Sequence, residues 1–290
     1  MRIGAFELSE PLPELREPRA LVTLRPWLDA GRVGREALGR LEKHCDAQEF
    51  GRLARPGNFY DFTRYRPSVK NVGAKRRITI PNTTVLYATR DQAPDLLFFH
   101  LLEPQLYAEE YVESTLELLK HFDVREYTQI GGVSDAVPHS RPLLVTGLVP
   151  EEVGGRYNIE PSRYEGPTSI TYLVHQEASK LGIETMTFLA RLPHYAQLDE
   201  DYAGVARLLE VLCQMYDFPP SLIDAEQGER QYQQVDAAVA RNPQAKALVE
   251  HLEASYDARV QESGDGAPSD LAPEVESFLR EMDRRMGEES

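Results

Sequence analysis

The sequence predicts an α/β protein in which a doubly wound, mostly parallel central sheet is followed by a helical extension near the C-terminus. Over the first 200 residues, short apolar runs alternate with amphipathic stretches of helical period, the order typical of the strand–helix–strand units that build parallel sheets. After Pro193 only the helical period continues. With 290 residues, of which 41% are hydrophobic and 27% charged, the chain is long enough to bury a sizeable core.

The first predicted elements of the core precede residue 95. An apolar run with β-branched residues over 20–24 is typical of a buried strand, and apolar residues that recur on one face predict a helix over 32–45. Between 59 and 90, short apolar groups are separated by proline and glycine, which predicts short strands and hairpins. A strand–helix unit is therefore expected before a region of hairpins.

The centre of the predicted sheet begins with the almost continuous apolar run 95–102, as expected for a strand buried on both faces. Glu103-Pro104 predicts the start of a helix, because proline suits the first helical turn. Apolar residues at helical spacing from Tyr107 to Phe122 form the expected buried stripe of this helix.

Two further strands and one helix complete the predicted core. A strand over 126–130 is expected to end at a pair of glycines and to lead into a loop rich in proline and glycine, up to about residue 166. A helix is predicted over 168–181, with Leu173 and Leu181 among its inward residues, and a strand over 183–192.

The sequence divides into four predicted parts: a loose lead-in rich in proline and glutamate over 1–18, the α/β core domain over 19–200, a helical extension packed on the core over 201–257, and a linker with an acidic C-terminal helix over 258–290. In the extension, Ser221 and Asp224 predict a capping box at a helix start. The last helix is expected over 271–286. Its apolar stripe needs a surface, either its own core, a sister subunit or another protein.

Composition restricts the partners and the location. The chain carries 32 basic and 47 acidic residues, a net charge of −15, which argues against nucleic acid as a partner. The two cysteines, Cys45 and Cys213, lie far apart, so neither a disulfide framework nor a cysteine zinc site is expected and a cytoplasmic location is favoured. No apolar run approaches the ~18 residues of a membrane span, and the N-terminus lacks a signal-peptide pattern. A soluble, acidic, cytoplasmic protein is predicted.

The sequence contains no motif that points to a cofactor, a metal ion or a catalytic nucleophile. A phosphate-binding P-loop, a G-x-G-x-x-G turn, an H-E-x-x-H helix and a G-x-S-x-G elbow are all missing. We therefore predict no catalytic residue, no cofactor and no metal site.

Polar and glycine residues follow each predicted core strand, and ligands of parallel α/β sheets bind beyond the carboxyl ends of the strands. The candidate crevice residues are Trp27, Asp29, Gly31, Glu103, Gly131, Gly132, His139, Arg141, Glu165, Thr168, His194 and Tyr195. The acidic, basic and imidazole groups among them have the chemistry for acid–base work on a polar small molecule. The alternative is structural, because polar loop residues cap helices and bind loop carbonyls.

Several of these loop segments carry a family resemblance. The matching segments are 27–31 (Trp-Leu-Asp-Ala-Gly), 59–62 with Arg66-Pro67, Glu103-Pro104, Gly131-Gly132, 137–142 (Val-Pro-His-Ser-Arg-Pro), 164–168 (Tyr-Glu-Gly-Pro-Thr) and 193–195 (Pro-His-Tyr). In this order, over roughly residues 18–255, the chain resembles the proteasome assembly chaperone 2 family, including its uncharacterised bacterial members.

The resemblance implies a three-layer α/β/α core similar to that of nucleoside phosphorylases, assembled into a homo-oligomer, with a trimer preferred. Eukaryotic and archaeal relatives act as chaperones in proteasome assembly. The chain departs from the family at Arg25-Pro26, where relatives commonly carry glycine, and at residues 287–290, which lack the hydrophobic–tyrosine–any-residue tail of some archaeal relatives. Proteasome docking by such a tail is therefore not expected.

Two hypotheses on function follow. The first is a non-catalytic homo-oligomeric scaffold or assembly chaperone that acts through an unidentified protein partner. The second is a small-molecule sensor, or a hydrolase- or phosphorylase-like enzyme, that uses the crevice; it rests on fold analogy. The placement of His139, Arg141, Glu165 and His194 discriminates between them, because the second hypothesis needs these side chains to face one open pocket.

Overall fold

A computed structural model describes residues 1–73 and 75–264, which form twelve strands and seven α helices. The strands are Arg2–Ile3 (β1), Phe6–Leu8 (β2), Arg19–Arg25 (β3), Gln48–Leu53 (β4), Ser68–Val72 (β5), Lys75–Thr79 (β6), Thr84–Ala88 (β7), Leu96–Leu102 (β8), Glu126–Asp135 (β9), Val145–Gly147 (β10), Ile159–Pro161 (β11) and Glu184–Pro193 (β12). The helices are Val33–His44 (α1), Ala108–His121 (α2), Glu151–Tyr157 (α3), Ile170–Lys180 (α4), Tyr202–Tyr216 (α5), Ala225–Val239 (α6) and Pro243–Gly264 (α7).

Ten of the strands form one mixed sheet in the order β1-β2-β4-β7-β8-β3-β9-β12-β10-β11. The four central strands β8, β3, β9 and β12 are parallel, and antiparallel pairs flank them on both sides. Strands β5 and β6 form a separate two-stranded hairpin. The predicted sheet with a parallel centre is confirmed.

Helices cover both faces of the sheet. Val22 and Phe99 belong to a buried cluster with residues of α2 and α4, whereas the adjacent residues Leu21 and Phe98 belong to a second cluster with residues of α1 and α5. Successive residues of a strand point to opposite faces, so a strand between two helix layers must be apolar on both sides. The fold is therefore the predicted three-layer α/β/α arrangement.

The N-terminal segment is ordered on the sheet, and the prediction of a loose lead-in over 1–18 is wrong. Strands β1 and β2 extend one edge of the sheet next to β4, and the side chains of Phe6 and Leu8 are buried on either side of the exposed Glu7. Further along, Arg16 donates hydrogen bonds to the buried carboxylate of Asp95. The alternation around Glu7 is the period of a half-buried strand, which proline and glutamate further along the segment obscure.

The helix predicted to start at Glu103-Pro104 starts at Ala108. The backbone N–H groups of Gln105 and Leu106 donate to the carbonyl of Phe59, so this segment is held in a loop. Tyr107 then has a left-handed backbone and a side chain that is 64% exposed, so it is not part of the buried stripe. Pro104 lies in the connection before the helix.

Strand β9, the loop that follows it and helix α4 also differ from the predictions. Strand β9 does not end at Gly131-Gly132 but continues to Asp135, and the predicted loop up to residue 166 contains β10, α3 and β11. Leu173 and Leu181, predicted to point inwards, are each more than 40% exposed, because only one side of α4 faces the sheet.

Each of the C-terminal helices packs on elements that precede it in the chain. Helix α5 packs on α1 and β12, and α6 packs on α5. The N-cap of α6 is Asp224, which accepts a hydrogen bond from the N–H of Gln227 (3.2 Å), and Ser221 has no part in it. Helix α7 continues to Gly264, so the predicted linker does not begin at residue 258. The helix predicted over 271–286 lies outside the described residues.

No helix in the described part of the chain has both the length and the apolar character needed to span a membrane.

Candidate functional site

The 137–142 loop is the hub of the candidate residues, and His139 is its centre. The His139 side chain is almost fully buried. Its Nδ1 lies 2.5 Å from Tyr195 Oη and its Nε2 lies 2.9 Å from Asp236 Oδ1 on α6. The His139 ring also makes edge-to-face contacts with the rings of Tyr195 and Tyr232, whose centroids lie 5.6 and 5.8 Å from its own. Both ring nitrogens of His139 are thus engaged by other side chains of the protein.

Arg141 ties the same loop to α7. Its Nε and Nη2 donate to the two carboxylate oxygens of Asp257, each at 2.9 Å, and Nη1 donates to Glu253 at 3.2 Å. The paired geometry makes this a strong charge-assisted contact, and the Arg141 guanidinium lowers the pKa of the Asp257 carboxyl. Tyr256 Oη donates to the carbonyl of Pro142 at 3.0 Å. The loop therefore fastens α6 and α7 to the core.

The segment after β12 completes this hub. The backbone N–H of His194 donates to the carbonyl of Asp135 at 3.1 Å, and His194 Nδ1 lies 3.0 Å from the same oxygen. Tyr195 is half-buried, and this burial raises the pKa of its phenol to about 12. Both residues therefore connect the end of β12 to the end of β9 and to the 137–142 loop.

A second group of candidates packs the turn after β3 against β9. The N–H of Gly132 donates to the carbonyl of Leu28 at 2.9 Å. A Cβ atom on Gly131 would lie 2.1 Å from Leu28 O, and one on Gly132 would lie 2.7 Å from Ala30 O. Gly31 has a φ of +55°, and a Cβ atom on it would lie 2.6 Å from Cβ of Asp201. These three glycines therefore permit backbone contacts within the chain.

The charges of this turn are only partly neutralised. Asp29 pairs with Arg35 of α1, but its Oδ1 is buried without a hydrogen-bond partner, and burial raises the pKa of its carboxyl. Burial and the nearby Arg35 lower the pKa of the Arg25 guanidinium. Trp27 is 44% exposed at the tip of the turn.

Glu103 lies at the end of β8, where its backbone N–H donates to the carbonyl of Arg25 at 2.8 Å. Its Oε1 accepts a hydrogen bond from the N–H of Ile170 at 3.0 Å, at the start of α4. Its Oε2 is buried and has no partner. Burial outweighs the one hydrogen bond and raises the pKa of this carboxyl to about 7. Glu103 is therefore a proton-binding group near neutral pH.

The remaining candidates precede α4. Glu165 and Thr168 are exposed, and Tyr164 Oη donates to the carbonyl of Pro167 at 3.0 Å across Gly166. The candidates thus form a hub around His139, a packed turn around Gly131 with Glu103 beside the start of that turn, and an exposed segment before α4. His139 and Arg141 are bonded to Tyr195 and to carboxylates of α6 and α7, whereas Glu165 is exposed in the segment before α4.

Sequence reasoning missed the acidic partners of the hub, which are Asp236, Glu253 and Asp257. The last two are four residues apart on α7, beside Tyr256, so their spacing places them on one helix face. It also missed a cleft of about 710 Å³ at the opposite, amino ends of the parallel strands, which is lined by Arg19, Cys45 and Arg90 among others. Across residues 1–73 and 75–264, no three His, Cys, Asp or Glu side chains are grouped to hold a metal ion.

Fold and hub together define a three-layer α/β/α protein in which polar loop residues bind a helical extension to the carboxyl ends of the strands. The model of the PAC2 family matches residues 23–241. The chain belongs to the PAC2 family, and the resemblance found in its loop segments is confirmed.

Solved structures share this fold. A protein of unknown function from Mycobacterium tuberculosis is 24% identical, with a TM-score of 0.78 and coverage of 91% of this chain and 92% of its own. A proteasome-assembly chaperone homologue from the same organism is 22% identical, with a TM-score of 0.70 and coverage of 79% and 99%. An archaeal proteasome activator from Pyrococcus furiosus is 16% identical, with a TM-score of 0.61 and coverage of 83% and 99%. Among the curated proteins, none matches.

Proposed function

We propose that the protein is a chaperone-like scaffold that works as a homo-oligomer in the cytoplasm, through contacts with another protein. Membership of the PAC2 family supports this proposal. So do the structural neighbours, one of which is described as a proteasome-assembly chaperone homologue and another as a proteasome activator.

A single observation carries the proposal: His139 and Arg141 bind helices α6 and α7 of the helical extension. An imidazole with both nitrogens bonded to Tyr195 and Asp236 lacks a free site for proton exchange with a substrate. The guanidinium of Arg141 is likewise occupied by two carboxylates of α7. The 137–142 loop, one of the segments that carry the family resemblance, is therefore used in contacts within the protein.

Exposed apolar side chains supply a contact surface. Tyr172 and Leu173 on the outer side of α4 are 37% and 43% exposed, and Leu148 at the end of β10 is 36% exposed. Exposed apolar groups on a folded protein are candidates for the buried centre of an interface. We assign the partner contact to this outer side of α4.

Co-expression with proteasome subunits tests the proposed function. With the α and β subunits of its own organism, the protein should co-purify with incomplete particles and raise the yield of complete ones. Leu173→Asp should remove both effects while the protein stays folded, because it places a charge in the proposed contact. Val260→Asp, at an exposed apolar residue of α7, is the matched control and should retain them. A protein that neither binds the subunits nor changes the yield contradicts the proposal.

Glu103 supports a second candidate, a small-molecule sensor. Its buried Oε2 without a partner, and a pKa of about 7, suit a ligand that brings a hydrogen-bond donor. Thermal-shift screening with nucleosides, nucleotides, phosphate and sugars tests it. A ligand at 100 times its Kd stabilises a protein by about 2.7 kcal/mol. A ligand-induced rise in Tm that is lost in Glu103→Gln would favour the sensor. If no compound changes Tm, the scaffold remains the supported function.

A further inference from the structure

The β5–β6 hairpin stands away from the rest of the fold. Its register pairs Val69 with Ile78 and Lys70 with Arg77, and every described residue from Ser68 to Thr79 is exposed. A two-stranded hairpin alone is marginally stable in water. A hairpin as exposed as this one is therefore stabilised when another surface covers it. We name this segment, residues 68–79, the basic arm.

The basic arm combines apolar and cationic side chains on both of its faces. Val69 and Ile78 are 58% and 65% exposed. Its four cations are Lys70, Lys75, Arg76 and Arg77, and across the described part of the chain none of them forms an ion pair. The arm therefore presents four free positive charges beside apolar groups.

The arm is positive on a strongly negative molecule. Residues 62–90 contain seven of the 32 basic residues and none of the 47 acidic ones. The rest of the chain therefore carries 25 basic and 47 acidic residues, a net charge of −22. Such a body repels a polyanion such as DNA and attracts a cationic arm. The charge balance thus favours an acidic protein surface as the occupant of the arm.

Helix α2 offers a surface of matching chemistry. Its exposed face carries four glutamates, Glu109, Glu110, Glu113 and Glu117, and no ion pair of the described residues includes them. Leu106 and Tyr107, just before the helix, are 51% and 64% exposed. We name this surface the α2 acidic face.

The two surfaces also agree in length. Glu109 to Glu117 spans about 12 Å at the helical rise of 1.5 Å per residue. The five paired residues of each arm strand span about 13 Å from first to last. All residues of the arm that the structure describes are exposed, so they do not lie on the α2 acidic face of their own chain.

We propose that the basic arm of one chain docks on the α2 acidic face of a second copy of this chain. The contact sets Lys70, Lys75 and Arg77, which share one face of the arm, against the glutamates, and it covers Val72 of the same face with Leu106 and Tyr107. This inference rests on the proposed homo-oligomer and specifies the surfaces that build it. Because each copy has one arm and one acidic face, the contact propagates until the assembly closes.

Charge reversal tests the contact through the mass of the assembly, measured by sedimentation equilibrium. The arm variant Lys70→Glu/Arg77→Glu and the helix variant Glu109→Lys/Glu113→Lys should each shift the protein to the 32.8 kDa monomer, because like charges then face each other. An equimolar mixture of the two variants should recover assemblies larger than the monomer, since the arm of each variant then finds an opposite charge on the helix of the other. That recovery separates a contact between chains from one within a chain.

The control is Arg230→Glu/Lys246→Glu, which reverses two exposed cations of α6 and α7 and should leave the mass unchanged. The wild-type assembly should also weaken between 50 and 500 mM NaCl, as salt screens exposed charges. An unchanged mass of the arm variant, or a mixture that stays monomeric, overturns the inference. So does binding of a labelled DNA duplex that the arm variant loses, which would make the arm a nucleic-acid contact.

The two proposals fail separately. Loss of the assembly in both variants, with recovery in the mixture, upholds the arm contact even if the protein has no effect on proteasome subunits. Normal activity on those subunits in the arm variant, with an unchanged mass, removes the arm contact alone.

Discussion

At the scale of single residues, Glu103 makes the stability of the folded state depend on pH. Its folded pKa of about 7 is above the ordinary value of a glutamate, so the folded state holds this proton more tightly than the unfolded state does. The stability that comes from the neutral carboxyl is complete below the unfolded pKa and is lost as the pH rises through about 7.

We therefore expect Glu103→Gln to be more stable than the wild type at pH 8 and nearly equal to it at pH 5. The amide keeps an acceptor for the N–H of Ile170 and carries no charge. The gain at pH 8 should be about 1–2 kcal/mol, less than the full shift would give, because the carboxyl is partly solvated. Urea unfolding at both pH values measures it.

The exposed Glu165 provides the control for this experiment. Glu165→Gln should change the free energy of unfolding equally little at pH 5 and pH 8. If the free energy of unfolding of Glu103→Gln, relative to the wild type, is the same at pH 5 and pH 8, burial does not disfavour the charge of Glu103.

Gly131 gives a second prediction at this scale. In Gly131→Ala the new methyl would lie 2.1 Å from Leu28 O, so the turn after β3 must move away from β9. We expect a loss of about 2–3 kcal/mol in the free energy of unfolding, as for an overpacked core. Chemical denaturation of the purified variant measures it.

Gly39 on α1 is the matched control, because a Cβ there meets nothing within 4 Å. Gly39→Ala should stabilise the protein by up to ~1 kcal/mol through helix propensity. Equal effects at the two glycines would contradict the close approach of Leu28 to β9.

At the scale of elements, α7 depends on the 137–142 loop. Arg141→Gln removes the paired hydrogen bonds to Asp257 and the contact to Glu253, and leaves buried apolar contacts such as Val249 in place. We expect faster amide hydrogen exchange over 243–260 than in the wild type. Hydrogen-exchange mass spectrometry localises the change.

Arg230→Gln is the control, because Arg230 forms one exposed ion pair with Glu226 on α6. Such a pair contributes between about 0 and 1 kcal/mol, so exchange over 243–260 should stay as in the wild type. Unaltered exchange in Arg141→Gln would mean that apolar packing alone holds α7.

Elements were predictable where one physical signal dominates. The run 95–102 is apolar on both sides, so its place in the centre of the sheet follows from composition alone. The start of α2 was not predictable from Pro104, because the carbonyl of Phe59, almost 50 residues away in sequence, holds that segment in a loop. The hub could be predicted only in part. His139 and Arg141 were found by their loop, whereas their partners lie on helices whose packing the local sequence does not specify.

At the scale of the whole molecule, the N-terminal strands close one edge of the sheet. Phe6 is fully buried in the cluster that lies under α2. Phe6→Ala should therefore cost about 3–5 kcal/mol. Differential scanning calorimetry should show a clear drop in Tm.

Ile78→Ala provides the comparison, since that side chain is 65% exposed on the basic arm and its loss should leave Tm within the error of measurement. A Phe6→Ala protein with the Tm of the wild type would mean that β1 and β2 contribute nothing to the core.

The position of β3 in the sheet has a consequence for synthesis of the chain. β3 lies between β8 and β9, and its first residue, Arg19, pairs with Leu96 and with Glu126. A ribosome that adds about 5–20 residues per second makes the first residue of β8 roughly 4–15 s after Arg19, and β9 follows later. Until β8 has been made, β3 has neither of its two sheet partners. The nascent chain must therefore hold this apolar central strand unpaired until about a third of the chain has been synthesised.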